Sequence, residues 1–426
     1  MIRARPTAVR RGAGADTWAP LLGIADRAVQ AATGLAVMGA FLVAARPEDF
    51  GRYALVLSLA LLPQGLNASS VALPMRTLLP RQAPPAREAL AGGFRRLSWL
   101  LAAGAALVVA AAVLAATGGD PALAAAGAAF ALASIVRERS RAEWDAHRLA
   151  SRGLRQTTFC AAAAVVAVGA LVGAGSLEAR SALLALAAAS LMAAALCGRT
   201  ALAGPTAPLR ATWMRARPFV SWTVLGAVLV WGQTNLYALA TYLAADADAL
   251  GRVAMARATL LPLTLAAAGL GMALRPQLAA LVAAGDGDGL LAVRRRAFGA
   301  VLAGVAAYGL VAGGLLGGLG GRLLPEAYAG TDAFARLWLV DGLLVAGAGV
   351  ATPFLIATLQ FRTLALWNAL SVAVGVVAVV RLAPAYGAAG ALAAQLAADA
   401  VLCAAVVLAS GRVLRAASPI PVADGA

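Results

Sequence analysis

Apolar residues in this chain run in long unbroken stretches and do not alternate with polar ones. A helix needs roughly 20 apolar residues to cross about 30 Å of hydrocarbon. Twelve such spans are read, at about residues 21–44, 53–75, 97–117, 121–136, 156–175, 181–203, 218–243, 250–274, 297–320, 335–359, 363–383 and 386–410. The fourth is the shortest. A membrane β-barrel would instead show alternation over segments of about ten residues. The pattern therefore predicts an all-α polytopic membrane protein. It divides into a tail (1–20), a six-helix lobe (21–203), a linker (204–217), a second six-helix lobe (218–410) and a closing tail (411–426). No connection is longer than about 20 residues, which leaves no room for a soluble domain on either side.

Composition agrees. Hydrophobic residues make up 62% of the 426, charged residues 13%, and the mean hydropathy is +0.83. A soluble domain carries about 25% charged residues, and disorder needs low hydrophobicity with dense charge. Lys is absent and Ala abundant, which suggests a GC-rich bacterial genome. Cys160, Cys197 and Cys403 all sit in apolar runs without metal spacing, and read as small core residues. The net charge of +16 raises the question of nucleic acid, but in a membrane protein the distribution of charge decides.

That distribution is lopsided. The N-terminus, the connections after spans two, four, six, eight and ten, and the C-terminus, with the span ends adjoining them, carry 26 of the 35 Arg; the other connections and their adjoining span ends carry 7. The remaining two, Arg27 and Arg257, lie further inside spans. The positive-inside bias predicts that both termini are cytoplasmic. Residues 1–11 are basic, but the apolar run behind them is too long for a signal peptide and reads as an uncleaved first span.

A repeat is visible at half length. Gly51-Arg52-Tyr53-Ala54-Leu55 opens span two and Gly251-Arg252-Val253-Ala254-Met255 opens span eight. Acids precede both (Glu48 and Asp49; Asp246 and Asp248), and a Pro follows each at similar length (Pro63; Pro262). Equal topology makes this a parallel repeat, with an axis along the membrane normal.

Four segments carry a resemblance. Pro47-Glu48-Asp49-Phe50-Gly51-Arg52-Tyr53-Ala54-Leu55 resembles the segment between the first two helices of Wzx-type polysaccharide flippases. Arg275-Pro276-Gln277-Leu278, with Ala284-Gly285-Asp286 and Arg294-Arg295-Arg296, resembles their loop after helix eight. Pro325-Glu326-Ala327-Tyr328 with Ala333 resembles the loop before helix ten, and Tyr386-Gly387-Ala388-Ala389-Gly390-Ala391 the opening of the last helix. This family belongs to the multidrug/oligosaccharidyl-lipid/polysaccharide exporter (MOP) superfamily. The resemblance implies two six-helix lobes around a central cavity. It also implies alternating access that moves a polyprenyl-diphosphate-linked oligosaccharide across a bacterial inner membrane.

Polar residues within spans are expensive and usually face a wet cavity or the bundle interior. Arg257 lies about seven residues into span eight, roughly 11 Å deep at 1.5 Å per residue. Its planar fork suits a diphosphate; a structural pair with an intramembrane Asp is the alternative. Arg27 is the shallower match on span one and is able to snorkel. Gln233 and Asn235, beside Trp231 and Tyr237, and Gln64 with Asn67 are the amide candidates for holding sugar; interhelical hydrogen bonding is the rival account. Asp399, mid-span with Gln395 one turn earlier, Asp341 near a span end, and Asp26 are the candidates for proton or cation coupling. Trp18, Trp99, Trp213, Trp222 and Trp338 read as interfacial anchors. The basic segments 79–96, 137–155 and 277–296 read as solvated connections able to attract anionic lipid.

A drug or cation antiporter of the same superfamily is the leading alternative, kept open by Asp399. A membrane enzyme or a non-transporting scaffold comes lower. One His, His147, offers no metal constellation, and no phosphate-binding loop is present, so no cofactor or metal is expected. The expected partners are a lipid-linked glycan and membrane lipids, with no nucleic acid. Polymerases or glycosyltransferases are further candidates, and a monomer is the simplest assembly.

Overall fold

A computed structural model describes residues 19–147, 149–197, 206–323 and 325–416. Among them the regular structure is entirely helical. The helices are α1 (Ala19–Ala44), α2 (Pro47–Asn67), α3 (Leu73–Leu78), α4 (Pro84–Ala116), α5 (Pro121–Ala146), α6 (Ala150–Gly173), α7 (Ala179–Cys197), α8 (Leu209–Ala244), α9 (Ala247–Arg257), α10 (Leu261–Ala283), α11 (Gly287–Leu323), α12 (Thr331–Ala357) and α13 (Phe361–Ala416).

These make twelve rods. A π-helical stretch, Ala68–Ala72, joins α2 to α3 as the second rod, and a 3₁₀ turn, Ala258–Leu260, joins α9 to α10 as the eighth. The 56 residues of α13 hold the last two, divided at Gly387. Gly387 has φ +56°, a conformation glycine adopts without the Cβ penalty, so the Tyr386-Gly387 motif marks the turn between spans eleven and twelve. Ten continuous helices among the described residues are long and apolar enough to cross a membrane. One of the ten, α13, holds two spans.

The rods form two six-helix lobes. In the first, α4 packs on α5, α5 on α7, and α6 on both α1 and α7; in the second, α13 packs on α8 and α12, and α12 on α10 and α11. The largest buried cluster of apolar side chains spans both lobes, from Phe41, Leu55 and Leu183 to Leu250, Trp338 and Leu392.

The lobes cross where the repeat lies. A Cβ on Gly51 would strike the carbonyl oxygen of Ala247 and sit 2.8 Å from Gly251 N. A Cβ on Gly251 would strike the carbonyl oxygen of Pro47 and sit 3.1 Å from Gly51 N. The contact is reciprocal, as at a two-fold interface. Two glycines 200 residues apart let α2 and α9 touch backbone to backbone. Arg52 pairs with Glu48 at 2.7 Å on one side and Arg252 with Asp248 at 2.8 Å on the other. Over this contact lies the turn Glu326–Tyr328, whose buried Tyr328 hydroxyl donates to the Phe41 carbonyl at 3.4 Å. The bundle is thus closed at this end.

Two segments differ from the sequence reading. The fourth span continues as helix to Ala146, ten residues beyond the apolar run. Asp120 starts it as N-cap, its carboxylate accepting from Leu123 N–H at 2.9 Å. The charged continuation folds because its charges are paired: Arg139–Glu143 at 2.9 Å, Arg76–Asp145 at 2.8 Å and Arg141–Asp26 at 3.2 Å. Arg139 and Glu143 are fully buried, so this part of segment 137–155 is packed helix and not a solvated connection. Part of the expected linker 204–217 is also helical, since α8 begins at Leu209; residues 204 and 205 lie outside the described residues.

Asp246 caps α9 in the same way as Asp120 caps α5, accepting from Ala249 N–H at 2.7 Å. Replacing an Asp N-cap by Ala costs about 1 kcal/mol. Asp120→Ala and Asp246→Ala are each expected to lower the apparent melting temperature in detergent by about 1–4 °C. Unchanged melting in both would remove the caps from the stability of these helices.

Candidate functional site

One turn beyond the glycine crossing a cavity of about 500 Å³ opens between the lobes. Its two walls differ in chemistry. The first lobe supplies Gly34 and Met38 from α1 and Phe50, Tyr53, Leu57, Ser58 and Leu61 from α2. The second supplies Gln233, Thr234, Asn235 and Tyr237 from α8, Arg257 from α9, Asp341 from α12, and Gln395 and Asp399 from α13. One wall is mostly apolar and the other carries every charged group of the cavity.

Arg257 is the last residue of α9, before the 3₁₀ turn. Pro262, in the first turn of α10, has no N–H to donate to a helical hydrogen bond. The proline signal in the repeat thus marks the break that places Arg257 at a helix end inside the membrane. Its Nη1 donates to the Tyr237 hydroxyl at 3.2 Å. Its Cζ lies 4.9 Å from the Tyr237 ring centre and 5.3 Å from that of Trp338. The two rings meet edge to face at 5.0 Å, and Trp338 Nε1 donates to the Val253 carbonyl at 3.0 Å. Each such cation–ring contact is worth about 0.5–2 kcal/mol. Among the described residues no carboxylate lies within ion-pair distance of Arg257; Asp341 and Asp399 act on it at longer range.

Asp399 is held by two amides. Gln233 Nε2 donates to Asp399 Oδ1 at 3.0 Å and Gln395 Nε2 to Asp399 Oδ2 at 2.6 Å. Gln395 Nε2 also reaches the Gln233 carbonyl at 2.5 Å, tying α13 to α8. Asp341 lines the same cavity as Asp399. Its Oδ1 is buried without a partner.

The sequence candidates divide clearly. Arg257, Gln233, Asn235, Asp341 and Asp399 line the cavity. Gln64 donates to Ser134 at 2.9 Å and Asn67 accepts from Ser98 at 3.1 Å, so both bond within the first lobe. Arg27 is exposed on α1. Asp26 is buried against Arg141 and Gln30, the latter at 2.8 Å. Asp341 is 2% exposed and belongs to the cavity wall, not to an interface at a span end. Trp338 is likewise not an interfacial anchor: it is 1% exposed and backs Arg257. Its spacing held a usable signal, since positions 338 and 341 share a helix face. Trp213 is exposed, whereas Trp18 and the side chain of Trp222 lie outside the described residues. Trp231, noted only as a neighbour of the amides, donates across the lobes to the Ser58 carbonyl at 2.7 Å.

The chain is therefore a polytopic helical membrane protein with a two-lobe, twelve-rod fold around a central cavity, and it shares that fold with transporters. It is similar to the inward-facing conformation of a multidrug resistance MATE family transporter of the MOP superfamily, with a TM-score of 0.72 and 11% identity, covering 94% of this chain and 95% of that one. The outward-facing conformation of a multidrug resistance MATE family transporter gives 0.61 and 14%, covering 93% and 94%. The lipid II flippase MurJ in an inward closed conformation gives 0.66 and 11%, covering 92% and 87%. No family model matches the chain, and no curated protein matches it.

Proposed function

We propose that this chain is a flippase of a bacterial inner membrane. It moves a polyprenyl-diphosphate-linked oligosaccharide between leaflets by alternating access, for polysaccharide assembly. The carrying observation is Arg257: a guanidinium set against two rings, lining the cavity, with no carboxylate at ion-pair distance among the described residues. A fork held in this way offers its remaining N–H groups to a phosphate. The amides and aromatics of the same wall suit sugar hydroxyls and ring faces. Lobe boundaries at 21–203 and 218–410, cytoplasmic termini and a monomeric assembly belong to this reading. The closed end then faces outward, in keeping with the Arg distribution and with the higher score against the inward-facing relative. Polymerases and glycosyltransferases are the partners it implies.

A second reading, a drug or cation exporter, is favoured by one observation: two cavity acids against one Arg. A deletion strain separates the two. Under the flippase reading, polyprenyl-linked glycans build up on the cytoplasmic leaflet and surface polysaccharide is lost. An unchanged lipid-linked pool, with lowered efflux of cationic dyes, would establish the exporter instead.

A further inference from the structure

Arg257 sits at a joint, and side chains stitch that joint together. Before it, α9 packs on α2 of the first lobe; after it, α10 packs on α11 and α12 of the second. Pro262 lacks the N–H that a continuous helix would offer to the carbonyl of Ala258, so the hydrogen-bond ladder is interrupted here. Side chains meet the backbone around the gap. The Thr259 hydroxyl donates to the Ala256 carbonyl at 2.8 Å, Trp338 Nε1 to the Val253 carbonyl at 3.0 Å, and the Tyr308 hydroxyl to the Thr259 carbonyl at 2.6 Å. Tyr308 belongs to α11, which leaves Leu302, Leu310 and Val311 exposed, yet Tyr308 itself packs against the central apolar cluster. A hydroxyl carried into the apolar interior needs a partner, and this one meets a backbone carbonyl two residues past Arg257.

We infer that Tyr308 is a positioning residue for the anion site: by holding the Thr259 carbonyl it fixes the joint between α9 and α10 and keeps the Arg257 fork turned to the cavity. The inference rests on the flippase reading. An Arg side chain has many rotamers, so where its fork points depends on how firmly its backbone is held. Arg257 is followed by the 3₁₀ turn Ala258–Leu260, and the hydrogen bonds of such a turn are poorer than those of an α-helix. Ala258 and Leu260 line the cavity together with Arg257, so a shift of the turn reshapes the site itself. Tyr308 stands outside the described cavity lining, and its effect on a cargo therefore passes through the joint.

Calorimetry on the purified full-length protein tests this with two probes that differ in charge. Farnesyl diphosphate presents an anion and an apolar tail; farnesol presents the tail without the anion. Tyr308→Phe keeps the ring and removes only the hydroxyl. The expected result is farnesyl diphosphate bound about two- to tenfold more weakly, the range of one hydrogen bond, with farnesol unchanged. Hydrogen–deuterium exchange in the same variant should be faster at the amides within 258–264 and unchanged at 247–253, where α9 meets α2. Equal weakening of both probes would make Tyr308 a general packing residue and overturn the inference. Undiminished binding of farnesyl diphosphate, or unchanged exchange at 258–264, would overturn it as well, and each leaves the flippase reading standing. Tyr308→Leu, also without a hydroxyl, repeats the measurement if Tyr308→Phe does not fold. If farnesyl diphosphate does not bind the unmodified protein, the flippase reading falls and the inference with it.

Discussion

Valine at position 251 is expected to hold the lobes apart at the closed end and to stop transport. The space a Cβ would need is already taken by the Pro47 carbonyl oxygen and by Gly51 N. Both are backbone atoms, so no side-chain rotation relieves the clash. Overpacking a tight contact costs about 1–3 kcal/mol, and 1.4 kcal/mol is a tenfold change in an equilibrium. A conformational equilibrium between two facing states would therefore move by about five- to a hundredfold. The contact is reciprocal, so Gly51→Val should act equally. Gly104→Ala is the control, since nothing lies within 4 Å of a Cβ there. Spin labels at Val43 and Leu243, both exposed, would read the opening directly. An unchanged label distance with normal transport would show that the crossing does not govern access.

Arg257→Ala is expected to lower flipping of an anionic lipid-linked cargo by about ten- to a hundredfold at constant protein level. Hydrogen bonds to charged groups contribute about 1.5–3 kcal/mol, and the substitution leaves Asp341 and Asp399 facing the cargo uncompensated. Arg257→Lys should recover only part of the rate, because an ammonium beside Tyr237 and Trp338 cannot reach a phosphate in two places as a planar fork can. The measurement is leaflet-resolved quantification of the lipid-linked glycan with parallel immunoblots. Normal flipping in Arg257→Ala would take this residue out of the mechanism.

The architecture was legible because hydrocarbon imposes one dominant rule on the chain, and because Arg marks alternate connections. Even the lobe contact left a trace, in the Gly-Arg pair repeated 200 residues apart. The cost of burying a guanidinium pointed to Arg257 for the same reason. What could not be read was partnership between distant positions. Gln64 looks like cavity material until Ser134, seventy residues away, accepts its hydrogen bond. Trp338 near a span end resembles an anchor until the crossing of α12 and α9 buries it. The charged run 137–146 reads as solvated because its partners, Arg76 and Asp26, come from other helices.

The glycine crossing also explains why the cavity walls differ. The repeat offset of 200 makes Gly34 equivalent to Thr234, Ala54 to Ala254, and Leu57 to Arg257, and all six line the cavity. Had two identical halves paired through this contact, every wall residue would appear twice, and an arginine at this position would face its own copy. Joining the halves in one chain frees each member of a pair to specialise. Position 57 has become lipid-like while position 257 has become cationic, so a symmetric frame encloses a chamber with one oily side and one polar side. Under the flippase reading, such a chamber would meet each end of an amphiphile with a wall of matching chemistry, which a chamber with two like walls could not do.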